Sequence, residues 1–127
     1  MMLTNPHKGR GGFDRMLRAT GYSIEGLKTA YRGESAFRQE SFLALLMLPA
    51  AFILGGTWLE VVVLAGSVLL VLIVELLNSG IEAAIDRVSL ELHDLSKRAK
   101  DLASAAVFLS LLLCGGIWVT ALLHRFT

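Results

Sequence analysis

A chain of 127 residues has room for one domain, and a formal charge of +1 with no long basic tract leaves no electrostatic footprint for nucleic acid. Apolar residues make up 54% of the chain, modestly above the usual ~45–50%, but they are gathered into long runs separated by highly polar stretches. The single cysteine, Cys114, lies inside an apolar run, which excludes a disulfide framework and a cysteine-based zinc site.

Residues 1–11 lack the apolar core of a cleavable signal peptide, so the N-terminus is expected to stay in the mature protein. Phe13, Leu17, Thr20, Ile24, Leu27 and Tyr31 then recur at alternating spacings of four and three, with Arg15, Arg18, Glu25 and Lys28 on the other faces. This predicts an amphipathic helix over residues 12–33, weakest at Gly21, lying in the membrane interface. Three apolar runs follow, at 42–59, 61–85 and 102–123, each near the ~20 residues needed to cross the hydrocarbon. The first two are joined through Gly55, Gly56, Thr57 and Glu60, a link short enough only for an antiparallel helical hairpin, and Pro49 predicts a kink in the first. The expected fold is therefore an all-α membrane protein, a single domain over 1–127 with three transmembrane helices and an N-terminal interfacial helix.

Lysine and arginine set the expected orientation, because cytoplasmic segments near span ends carry the positive excess. Lys8, Arg10, Arg15, Arg18, Lys28, Arg32 and Arg38 precede the first span, Arg87, Lys97, Arg98 and Lys100 lie between the second and third, and Arg125 alone falls on the other side. The N-terminus and the second loop are expected in the cytoplasm, with Trp58 and Trp118 anchoring the outer interface.

The inner half of the second span carries Glu75, Asn78, Ser79, Glu82 and Asp86, which share one helical face at 100° per residue. Counting ~1.5 Å per residue from Glu60 puts Glu75 about 22 Å deep, within a hydrocarbon core of ~30 Å but near its cytoplasmic edge. A carboxylate there costs at least a few kcal/mol, and three such polar groups on one stripe favour a functional cavity over a structural hydrogen bond or ion pair. Glu75 is placed to take a proton from a lipid hydroxyl, and Glu82, nearer water, to hold a divalent cation. Lys97, Arg98 and Lys100 could neutralise phosphate, or serve only as a topology signal. No Gly-x-x-x-x-Gly-Lys-[Ser/Thr] loop and no protein-kinase signature set is present.

Gly21-Tyr22-Ser23, the run from Glu34 through Ala36, Phe37, Arg38 and Gln39 to Glu40, the Glu75 to Arg87 stretch and Arg98-Ala99-Lys100-Asp101 carry a family resemblance. From Gly12 onward the chain resembles the bacterial integral membrane diacylglycerol kinases, most of all those of Gram-negative organisms. The resemblance implies a homotrimer in the bacterial inner membrane that transfers the ATP γ-phosphate to diacylglycerol, giving phosphatidate with Mg²⁺ as cofactor. It makes Glu75 the catalytic base, supported by Asn78, and Glu34 and Glu82 the metal-binding carboxylates. It places Arg15, Tyr22, Glu34, Glu82, Glu91, His93, Lys100 and Asp101 at the nucleotide. Arg15, Thr20, Lys28, Tyr31, Ala36, Arg38, Gln39, Glu40 and Glu75 would meet the lipid substrate. Two readings compete: an undecaprenol kinase sharing the carboxylate face, and a small proton-coupled exporter, which would leave Glu34, Glu82 and the basic loop unexplained.

Overall fold

The computed structural model describes residues 11–88 and 93–127, and among them every regular element is a helix. These are α1 (Gly12–Gly33), α2 (Ser35–Leu54), α3 (Trp58–Val88) and α4 (Asp94–Phe126). The last three are long and apolar enough to cross a membrane. The protein is thus a multi-pass membrane protein with one further, N-terminal helix.

α1 runs through Gly21 without a break. On either side of that glycine, Thr20 Oγ1 donates to the Met16 carbonyl (2.9 Å) and Ser23 Oγ to that of Ala19 (2.8 Å), so both hydroxyls fold back onto their own helix. Only Ala30 of α1 is buried; Phe13, Met16, Leu17, Ile24 and Leu27 are exposed in the single chain, an apolar face available to lipid.

One residue, Glu34, separates α1 from α2, with extended backbone angles (φ −117°, ψ 110°). The end of the helix leaves α1's last carbonyls without intrahelical partners. Arg38, in the first turn of α2, answers this by donating from its guanidinium to the carbonyls of Tyr31 (3.0 Å) and Arg32 (2.9 Å).

α2 buries Phe37, Ala44 and Ala51, a stripe at sevenfold spacing on which Glu40 also lies. The helix continues through Pro49, whose missing N–H deprives the Leu45 carbonyl of its donor. It ends at Leu54, several residues before the apolar run does. Hydropathy does not register the break, but hydrogen bonding does: Thr57 Oγ1 accepts from the Glu60 backbone (3.2 Å) and Glu60 Oε2 accepts from the Gly56 N–H (2.5 Å). This Thr-x-x-Glu pairing starts α3 at Trp58. Gly55 is required by space rather than by φ, since a Cβ there would lie 2.6 Å from Val61 Cγ2 and 2.9 Å from its nitrogen.

The inner stripe of α3 reads Leu64, Val68, Val71 and Glu75, a four-three-four spacing, with Ser67 beside it. α4 meets it with small groups, Ala103, Ser110 and Cys114, which allow close helix approach. Trp118 Nε1 donates to Ser67 Oγ (3.1 Å) and to the Leu64 carbonyl (3.3 Å), and the Ser67 hydroxyl bridges to the Leu64 carbonyl (2.8 Å) and Cys114 Sγ (3.5 Å). These bonds satisfy the polar atoms within the α3–α4 seam and set its register. Both α2 and α4 begin well before the apolar runs at 42 and 102, so polar turns extend these helices beyond the hydrocarbon.

Candidate functional site

Helical spacing aligns the acidic residues of α3 into a column. Glu75 is 7% exposed, buried on the face turned toward α2. One turn on, Asn78 Nδ2 donates to Glu82 Oε1 (3.4 Å), an i,i+4 bond that the shared face predicts. Asp86 closes the column and accepts from Lys100 Nζ (2.7 Å), so α4 is pinned to α3 at its polar end. On α4 itself Lys97 pairs with Asp101 (2.6 Å). His93 caps the helix, its Nδ1 accepting from the Leu95 N–H (3.1 Å).

The opposing wall of Glu75 is Glu40 on α2. The two side chains neighbour each other across the α2–α3 packing. Glu40 Oε2 and Asn78 Oδ1 are both fully buried, and among the described residues no donor reaches either. Polar atoms in this condition are uncommon in a folded protein and mark a place where a ligand, proton or water is accommodated.

Beside this pair, α1, α2 and α3 enclose a groove of about 480 Å³ lined by Leu27, Lys28, Tyr31, Arg32, Phe37, Ser41 and Leu72. Its apolar floor and basic rim suit a lipid with a polar head. A larger groove, about 860 Å³, runs between α3 and α4 at the other end of the bundle, past Glu60, Leu64, Leu113 and His124. Size therefore does not mark the carboxylate site; the buried acid groups do.

The structure brings Glu40, Glu75, Asn78 and Glu82 together, with Lys100 joined to the column through Asp86. Lys28 and Tyr31 line the adjacent groove, while Ala36 and Gln39 are exposed on the first turns of α2. Thr20 bonds within α1, and Arg38 is engaged at the α1–α2 corner. Arg15 and Tyr22 lie on the N-terminal half of α1, and Glu34 sits half-buried at the corner itself. Glu91 lies outside the described residues. The proximity of Glu40 to Glu75 was not read from the sequence, although its spacing from Phe37 and Ala44 carried the signal. The Lys100–Asp86 bridge, between residues distant in sequence, carried none.

Glu34 and Glu82 offer only carboxylate oxygens, a donor set that suits Mg²⁺, which takes one or two protein carboxylates and fills its shell with phosphate and water. Among the described residues no three His, Cys, Asp or Glu side chains form a cage by themselves. By donor chemistry each carboxylate suits such a cation, the rest of its shell being left to phosphate and water.

The sequence profile described as prokaryotic diacylglycerol kinase matches residues 21–122. The chain is 51% identical over 122 residues to a diacylglycerol kinase of Pseudomonas aeruginosa, covering 96% of this chain and 99% of that one. It is 47% identical over 107 residues to one from Haemophilus influenzae, covering 84% and 91% of the two chains. Against one from Escherichia coli K12 the identity is 45% over 115 residues, covering 91% and 94%.

Proposed function

Since this chain belongs to the prokaryotic diacylglycerol kinase family, we propose that it transfers the γ-phosphate of ATP to the hydroxyl of diacylglycerol, giving phosphatidate and ADP. The observation that carries the reading is Glu75, a carboxylate buried on the membrane helix α3 beside a groove lined by Lys28 and Tyr31. Diacylglycerol keeps its acyl chains in the bilayer and its hydroxyl near the interface, where Glu75 meets it. Glu75 takes the hydroxyl proton as the oxygen bonds to the γ-phosphorus, and ADP leaves with the electrons of the broken P–O bond. Asn78, bonded to Glu82, holds the lower part of the column in register.

Glu82 and Glu34 are the residues that would hold Mg²⁺, which when bound screens the phosphate charge. Lys100 (oriented by Asp86), Asp101 and His93 lie at the polar start of α4, and Arg15 and Tyr22 on the N-terminal half of α1, where a nucleotide would be met from the water side. The assembly is a homotrimer in the bacterial inner membrane, with the N-terminus and the α3–α4 link in the cytoplasm. The exposed apolar faces and the distribution of basic residues support this arrangement.

The deciding experiment supplies the purified protein with ATP labelled in its γ-phosphate, Mg²⁺ and either diacylglycerol or undecaprenol in mixed micelles. Label is expected in phosphatidate. Label confined to undecaprenyl phosphate would move the protein to the isoprenoid substrate, and none in either lipid would remove the kinase reading.

A further inference from the structure

The larger groove lies at the end of the bundle away from Glu75, and its wall changes character along its length. Val63, Leu64, Leu112, Leu113 and Ile117 give it an aliphatic interior, whereas Glu60, His124 and Arg125 stand at its mouth. On α4 the lining runs from Leu112 to Arg125, about 20 Å at ~1.5 Å per residue, against roughly 15 Å for half of a ~30 Å hydrocarbon core. The groove is thus as long as one leaflet is deep, apolar where acyl chains lie and charged where headgroups lie. Gly116 leaves a notch in its wall, since a Cβ there would meet nothing within 4 Å. The charges at the mouth are not matched within the chain. Glu60 is the one acidic residue between Glu40 and Glu75, and none follows Asp101. Its Oε2 accepts from the Gly56 N–H, leaving the rest of the carboxylate to another donor. Among the described residues Arg125 is in no ion pair.

We propose that this groove binds a zwitterionic phospholipid of the phosphatidylethanolamine class, drawn from the leaflet opposite the carboxylate site. The lipid phosphodiester faces Arg125 and His124, its ammonium faces Glu60, and an acyl chain lies along the groove over Gly116. A guanidinium takes phosphate oxygens through charge-assisted hydrogen bonds, and a carboxylate takes an ammonium in the same way. Other occupants leave a charge unmet. Diacylglycerol brings no anion to Arg125, while phosphatidylglycerol and phosphatidate bring no cation to Glu60. A second copy of the chain inserted in the same direction brings no acidic side chain to that level except its own Glu60, already bonded to Gly56. Aliphatic surface alone does not distinguish a lipid tail from a helix; the two charges at the mouth do. The bound lipid is neither substrate nor product, so the inference stands apart from the kinase reading.

The test uses the full-length protein, stripped of lipid in detergent micelles and titrated separately with phosphatidylethanolamine, phosphatidylglycerol and diacylglycerol. Retained lipid is counted by native mass spectrometry, and the unfolding midpoint is followed in parallel. Each chain should retain about one phosphatidylethanolamine, which should raise the midpoint as a ligand of the folded state does. Phosphatidylglycerol should bind more weakly, and diacylglycerol should not be retained. Arg125→Gln should weaken phosphatidylethanolamine binding roughly tenfold or more. Glu60→Gln keeps an acceptor for the Gly56 N–H but loses the charge, and should erase the preference for phosphatidylethanolamine over phosphatidylglycerol. Gly116→Phe should fill the notch and abolish retention while the particle keeps its size. Should that variant not fold, as judged by circular dichroism, the two Gln variants, which leave the groove open, still decide. Equal retention of the two phospholipids by wild type, or retention unaltered by Arg125→Gln or by folded Gly116→Phe, would overturn the site. A smaller particle in Gly116→Phe would do so too, by giving the groove to a second copy of the chain. None of these readouts is turnover, so failure of the kinase reading would leave them unchanged.

Discussion

Glu75 lies where a membrane helix ordinarily carries an aliphatic side chain, and burial of its carboxyl is expensive unless the group works. Glu75→Gln keeps the shape and removes the proton-accepting charge, so phosphoryl transfer should fall by at least ~10²-fold while the elution volume of the folded protein stays unchanged; near-normal turnover in the folded variant would refute the base role. Neutralising Glu34 or Glu82 should act differently. Each substitution should shift Mg²⁺ activation to higher concentration and lower the maximal rate, with diacylglycerol affinity little affected, as a metal titration of each variant would show. An unchanged titration in both variants would return the two carboxylates to a structural role. Glu75, Asn78 and Glu82 were legible in the sequence because polar residues on one face of an apolar helix stand out by their cost. Glu40 and Arg38 were named only through the family resemblance, as positions meeting the lipid, because both fall in a polar stretch where such residues cost nothing until the chain folds. The carbonyls that Arg38 caps are set by a helix corner that no periodicity records.

The helices were legible from their apolar runs, but where they start and stop was decided by hydrogen bonds. Trp58 and Leu59 extend the apolarity of the first span, yet they begin α3, because the Thr57 and Glu60 side chains satisfy backbone groups at that start. The turn before them tolerates no Cβ at Gly55. Gly55→Ala should therefore cost about 1–3 kcal/mol, read as a lower midpoint in equilibrium unfolding from mixed micelles, because Val61 cannot retreat without moving α3. Gly21→Ala is the contrasting case: its Cβ would meet nothing within 4 Å, and helix propensity should stabilise α1 by up to about 1 kcal/mol. Equal tolerance of the two substitutions would argue against the close approach at the hairpin.

For the molecule as a whole, the number of spans follows from composition, whereas the partners that cover the exposed apolar faces do not, since a lipid tail and a neighbouring helix satisfy such a face equally well. The proposed orientation is open to direct test. A cysteine introduced at Lys97 should react with an impermeant thiol reagent only from the cytoplasmic side, and one at Thr57 only from outside; the opposite pattern would separate the carboxylates from ATP. One further consequence follows from the length of α3. Its 31 residues form a rod about 46 Å long, against roughly 30 Å of hydrocarbon, capped at one end by Thr57 and Glu60 and acidic toward the other. A rigid rod anchored at the far interface converts bilayer thickness into the depth of Glu75 relative to the substrate hydroxyl. The enzyme should thus behave as a gauge of its own membrane, with turnover passing through a maximum as the acyl chains of the host lipid are lengthened; a flat dependence, measured at constant substrate fraction, would show that the bilayer adapts to the rod instead.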